Sequence, residues 1–184
     1  MGERQHSATL RYALAAAVGA LAPSAFLLHE LNAQIERAAP GECNAFLDAA
    51  LWPQMKSIHA HLQCVGATGR ALHLRMYAFD LALFPLIYCT ALFGGMALVW
   101  GPGSRLPAAA VVTFAFDVLE NASNVLLLRR FPRSSATVET ASVVGTRGKW
   151  LSLAASLVLV ALGVAVRSVR KRSTPAPHKS IKLS

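Results

Sequence analysis

Residues 77–128 read YAFDLALFPLIYCTALFGGMALVWGPGSRLPAAAVVTFAFDVLENASNVLLL. Two apolar stretches, 77–100 and 106–128, are joined by Gly101-Pro102-Gly103-Ser104-Arg105-Leu106-Pro107, a run that cannot continue a regular helix and reads as a tight turn. Each stretch reaches the ~20 residues a helix needs to cross a hydrocarbon core about 30 Å thick. Lipid offers the backbone no hydrogen-bond partners, so each stretch is expected to be helical and to satisfy its own amides. Tyr77 and Trp100 suit the two headgroup layers. The stretch therefore predicts an antiparallel hairpin of membrane-spanning helices.

Two further apolar runs lie outward of this hairpin, at 12–31 and 150–166. The chain of 184 residues is 54% hydrophobic and 15% charged, against about 25% charged for soluble domains. Most of its charge sits between the apolar runs. The expected fold is all-α, a polytopic membrane helical bundle of four transmembrane helices with an additional amphipathic interfacial helix. Its single membrane domain is expected over 12–166, after a polar tail at 1–11 and before a basic, disordered tail at 167–184. The first run contains Pro23, tolerable in a membrane helix. A secretory signal peptide is the rival reading of that run, with Ala20-Leu21-Ala22 as a small-x-small site. A retained helix is favoured because apolar character continues through Phe26, Leu27 and Leu28.

The segment 32–76 is read as extramembrane. Ala39-Pro40-Gly41 marks a turn, and Asn44 is placed to cap a helix carrying Leu47, Leu51, Met55, Ile58 and Leu62 on one side. Residues 134–149 read as a polar connector, and Trp150 as the interfacial start of the fourth span. Cys43 and Cys64 flank one extramembrane segment and are a candidate disulfide in an oxidising compartment, whereas Cys89 lies within an apolar run. His59, His61 and Cys64 do not make a metal site, because the two histidines point to different sides of a helix.

The net charge of +9 comes from 18 Lys and Arg against 9 Asp and Glu. The basic residues are spread over separate polar segments and are densest just after the last span, at Arg167, Arg170, Lys171 and Arg172. That placement suits anchoring to anionic lipid, not nucleic-acid binding, for which no platform is visible. Putting both termini in the cytoplasm divides the basic residues equally between the two sides. Their density favours that orientation, and the cluster Arg129, Arg130 and Arg133 opposes it. The membrane is expected to be the inner membrane of a bacterium or an organelle membrane of a eukaryote.

Chemistry concentrates in the hairpin. Asp117, Glu120, Asn121 and Asn124 fall at i, i+3, i+4 and i+7, with Thr113 one turn earlier on the same helical face. An ionised carboxylate at mid-bilayer costs about 2.5–3.5 kcal/mol even on an insertion scale, so this face must turn inward. Asp80 and Tyr88 of the second span are expected to face it, with Pro85 kinking that span. Tyr88 is expected level with Asp117, Asp80 nearest Asn124, and Asn121 one turn deeper. Asp80, Tyr88, Asp117, Glu120, Asn121 and Asn124 are the candidate ligand-binding cluster. Three carboxylates so placed favour a cation or a proton, although hydrogen bonds between helices would use the same groups without any ligand.

The pair Asp80-x-x-x-Phe84-Pro85-x-x-Tyr88 and Asp117-x-x-Glu120-Asn121, joined through Pro107, resembles a motif pair of poorly characterised small membrane proteins with about four spans. The resemblance implies the architecture and the choice of residues, with no activity attached. Three functions stay open: binding of a small ligand, lipid headgroup or cation by a carrier or accessory subunit; lipid or sterol modification through a carboxyl proton donor; and structural assembly. Expected partners are membrane lipids, other membrane subunits or a second copy of the chain. No nucleophile motif, cofactor fingerprint or metal-ligand pattern is legible.

Overall fold

The structure, a computed structural model, describes residues 2–39, 43, 55–101 and 103–173. They form six helices: α1 (Gly2–Ala38), α2 (Met55–Cys64), α3 (Gly66–Ala82), α4 (Phe84–Trp100), α5 (Ala108–Arg130) and α6 (Ala136–Ser173). α3 and α4 follow one another as a single broken span. Among the described residues, four helical stretches are then long and apolar enough to cross a membrane. The protein is a polytopic membrane helical bundle. An even number of crossings puts the start of α1, the α4–α5 turn and the end of α6 at one end. The α1–α2 link and the α5–α6 link lie at the other.

The distribution of side chains fits a hydrocarbon solvent. Phe26, Leu86, Phe93, Val111, Leu157 and Leu162 point outward, while Asp80, Asp117, Glu120, Asn121, Asn124 and Lys149 are buried. In water this arrangement would leave a large apolar surface exposed and strand charges inside. In a bilayer, apolar residues can face outward freely and polar ones must turn inward.

Several boundaries differ from the expectation. α6 starts at Ala136 and continues to Ser173, so residues 134–149 are not a loop beyond their first two positions. Their polarity belongs to a helix face turned toward α5. Residues 167–173 are likewise helical, and the rest of the basic tail lies outside the described residues. The first helix takes in nearly all of the expected polar tail. Gly66, at φ +67°, makes the sharp turn from α2 into α3, and helix resumes there instead of at Tyr77. The break expected near Pro85 falls at Leu83, since proline is tolerated in the first turn of a new helix and not inside one. The turn at 39–41 lies outside the described residues apart from Ala39, as does the stretch 44–54 with Asn44, Leu47 and Leu51.

At the end that holds the α1–α2 link, Ile58 and Leu62 of α2 pack into a core with Ile35, Met76, Tyr77, Leu127, Leu128 and Val143. The sulfurs of Cys43 and Cys64 are joined, with 5.8 Å between their Cα atoms. Arg70 donates to the Leu62 carbonyl at 2.8 Å and lies 4.1 Å from the Phe131 ring centroid, tying α3 to the α5–α6 link. At the core of the bundle, α5 and α6 approach closely at two glycines. A Cβ on Gly145 would meet the Glu120 backbone nitrogen at 2.6 Å, and one on Gly148 would strike the Phe116 ring.

Candidate functional site: a charged network beside a cavity

α5 is 23 residues long, about 34 Å at 1.5 Å per residue, close to one hydrocarbon thickness. Its buried face carries Thr113, Asp117, Glu120, Asn121 and Asn124. Thr113 donates to the Ala109 carbonyl of its own helix at 3.1 Å. The other four reach across to neighbouring helices.

Tyr88 of α4 donates to Asp117 Oδ2 at 2.6 Å, so the two do share a level. Asn121 Nδ2 donates to Asp117 Oδ1 at 3.2 Å and lies 3.4 Å from the Asp80 carbonyl oxygen. Asn124 Nδ2 donates to the Tyr77 hydroxyl at 3.0 Å. Asp80 therefore lies opposite Asn121 and not Asn124. The expected register assumed one continuous helix from Tyr77 to Tyr88, and the break at Leu83 offsets the lower part by about one turn. Asp80 is among the last carbonyls of α3, which a helix end leaves short of intrahelical donors, and Asn121 meets one of them.

The largest difference from the expected site is its fourth wall. Lys149 Nζ lies 2.6 Å from Glu120 Oε2 and 3.5 Å from Asp117 Oδ1. Lys149 is 7% exposed and Glu120 fully buried, so this is an interior ion pair. Thr146 donates to Glu120 Oε1, and Ser142 donates to Asn124 Oδ1 at 2.6 Å. Lys149 sits about 20 Å along α6, and Asp117 a similar distance from the end of α5, so antiparallel helices bring them to one depth. Sequence reading placed Lys149 outside the membrane and missed Ser142 and Thr146. The signal was present: Ser142, Thr146 and Lys149 recur at i, i+4 and i+7, the same spacing as the face of α5. Gly145 belongs to this design, because without a side chain there α6 comes near enough for Thr146 and Lys149 to reach Glu120.

A cavity of about 450 Å³ adjoins the network. Its polar lining comes from His29 and Asn32 of α1, Asp80 of α3, Tyr88 of α4, Asp117 of α5 and Lys149 of α6. Leu28, Met76, Phe84, Trp150 and Leu153 supply an apolar wall. Of the six candidate residues, Asp80, Tyr88 and Asp117 line this space. Glu120 stands behind Lys149, while Asn121 and Asn124 brace the network between helices. Pro85 is buried at the start of α4. Outside the cluster, His59 stacks on Phe131 and His61 meets His73 edge-on with centroids 5.4 Å apart.

Fold and site together define a multi-span helical membrane protein with an ion-paired polar network at mid-depth beside an amphiphilic cavity. No protein-family model, curated protein or solved structure matches the chain.

Proposed function

We propose that this protein binds a small molecule or the polar head of a lipid within its bundle, as a carrier or as an accessory subunit of a larger membrane assembly. The observation that carries this reading is the cavity itself. It joins five helices, is lined by both charged and apolar side chains, and lies within the size range of small-molecule sites. A free cation suits the site less well than a small molecule or a lipid head. The ammonium of Lys149 already occupies the position between Asp117 and Glu120 where a cation would sit. The network also bonds helices of one chain to each other.

Native mass spectrometry of the full chain, extracted gently from its own membrane, tests the reading. A discrete adduct that is lost in Leu153→Phe, a variant that narrows the cavity, is the expected result. A bare protein that takes up no added lipid saturably would overturn it.

One observation favours a second reading. Tyr88 and Asp117 form a 2.6 Å hydrogen bond at the cavity wall, an arrangement able to hold and hand over a proton. A lipid-modifying enzyme using that pair would lose turnover in a folded Asp117→Asn protein, and comparative lipidomics would reveal the accumulated precursor.

A further inference from the structure

α1 and α6 both line the cavity, yet these two helices do not form a packed interface. α1 packs on α3 and α4, and α6 packs on α5, α4 and α2. Next to the lining residues Leu28 and Leu153 stand Phe26 and Leu27 of α1 and Leu151 and Leu157 of α6, all turned outward. The gap between the two helices therefore opens sideways into lipid.

The depth of that opening follows from α1. Its outward face is apolar from Tyr12 to Leu28, and then His29, Glu30, Asn32, Gln34 and Glu36 follow toward the disulfide end. His29 is exposed and lines the cavity. Trp150 lines it from α6, and an indole suits the headgroup layer. The opening thus reaches from hydrocarbon into the headgroups, where a lipid carries its polar part. A ligand arriving from water needs no such opening.

Charge selects the head. The wall holds the carboxylates of Asp80 and Asp117, with Glu120 behind them, against the ammonium of Lys149. Glu36, which accepts from Asn32 at 3.3 Å, adds a carboxylate one turn beyond the rim. Arg147 is two positions from Lys149 and so lies on another side of α6. With His29 neutral, two of the three wall carboxylates would have to be protonated for the wall to reach neutrality; with His29 charged, one would. A field of this sign acts through low dielectric without contact, so it repels an anionic head and draws a cationic group inward. At the rim the chemistry reverses. The imidazole of His29 presents an N–H in either charge state, a donor for a phosphate oxygen.

We propose that the cavity takes up, through the gap between α1 and α6, the head of a zwitterionic phospholipid, its ammonium turned inward toward Asp80 and its phosphate at His29. The acyl chains stay in the bilayer, leaving along Leu28 and Leu153. This rests on the reading of the cavity as a binding site and names the ligand class.

Native mass spectrometry of the full chain in dodecyl maltoside, whose sugar head is uncharged, tests it with four probes of one acyl chain. They are lysophosphatidylethanolamine, lysophosphatidylcholine, lysophosphatidate and a monoacylglycerol. Both zwitterions are expected to saturate at about tenfold lower concentration than the other two, the scale of one charge-assisted hydrogen bond. The tighter zwitterion identifies the amine. Asp80→Asn is expected to cut the margin over lysophosphatidate. His29→Ala is expected to cut the margin over the monoacylglycerol at an unchanged melting temperature, because His29 is exposed. Lysophosphatidate or monoacylglycerol binding as tightly as the zwitterions, or a preference that either folded variant leaves intact, overturns the head group and leaves the cavity a binding site. Failure of every probe to saturate overturns the binding reading as well.

Discussion

Asp117 receives contacts from three helices at once: the Tyr88 hydroxyl of α4, the Asn121 amide of its own α5 and the Lys149 ammonium of α6. Glu120, one turn along, has the shorter ionic contact and the Thr146 hydroxyl. This ranks the two carboxylates. In Asp117→Asn the amide keeps one oxygen for Lys149 or Asn121 and can donate to Tyr88, while Lys149 retains Glu120. A loss of about 1–2 kcal/mol is expected, the scale of one hydrogen bond. Glu120→Gln takes from Lys149 its shorter ionic contact, and breaking a buried pair costs about 3–5 kcal/mol. Unfolding in mixed micelles should therefore show Glu120→Gln as the less stable variant. The reverse order would mean that Lys149 is held chiefly by Asp117. Asp117, Glu120, Asn121 and Asn124 were legible in the sequence because polar residues at helical spacing stand out against an apolar background. Lys149 was not, since a lysine next to a tryptophan at the head of an apolar run reads as an interfacial anchor.

The same ambiguity operates at the scale of helices. Residues 134–149 are polar enough for a water-exposed loop, and only their period, Ser142, Thr146 and Lys149 on one side, marks them as the inner face of α6. The close approach of α5 and α6 at Gly145 makes this testable. Gly145→Ala would drive a methyl group into the Glu120 backbone, and overpacking of this kind costs about 1–3 kcal/mol. Gly19→Ala in α1, where nothing lies within 4 Å, should be neutral or gain up to about 1 kcal/mol from helix propensity. Equal melting temperatures for the two variants would contradict the packing of α6 on α5. The offset of α3 against α5 was beyond sequence reading for a different reason: Pro85 announces a break, but not at which residue the helix resumes or by how much the register moves.

α2 carries a pH dependence of its own. Burial, and secondarily the neighbouring His73, push the His61 imidazole down to about 4 from 6.5. The unfolded state then binds more protons between those values, so the docking of α2 is strongest above about pH 6.5 and weakens as the pH falls toward 4. Hydrogen-exchange protection across α2, taken relative to the intrinsic exchange rate at each pH, should fall between about pH 7 and about pH 4.5. His61→Gln should flatten that response, and a response unchanged by the substitution would assign it to other groups.

For the molecule as a whole, four crossings place the start of α1 and the end of α6 on one side and the Cys43–Cys64 disulfide on the other. Disulfides persist in oxidising compartments, so the basic tail is expected on the cytoplasmic side, where anionic lipid attracts it. A cysteine placed at Ser184 should resist an impermeant maleimide in intact cells and react after permeabilisation. Labelling in intact cells would invert the orientation. The four-span plan was readable from apolar run lengths alone. What run lengths cannot convey is how the interior charges are balanced, because the compensating lysine lies on the following helix, where it reads as an interfacial residue.

That balance is the centre of the account, and a double-mutant cycle on Lys149 and Glu120 tests it most directly. Glu120→Gln and Lys149→Met each leave one buried charge with a lost partner, while the double variant removes both. Unfolding free energies measured in mixed micelles should show each single variant about 3–5 kcal/mol less stable and the double variant recovering much of the loss. Strictly additive losses, or a Lys149→Met protein as stable as the parent, would contradict an ion pair inside the bundle and return Lys149 to the membrane surface.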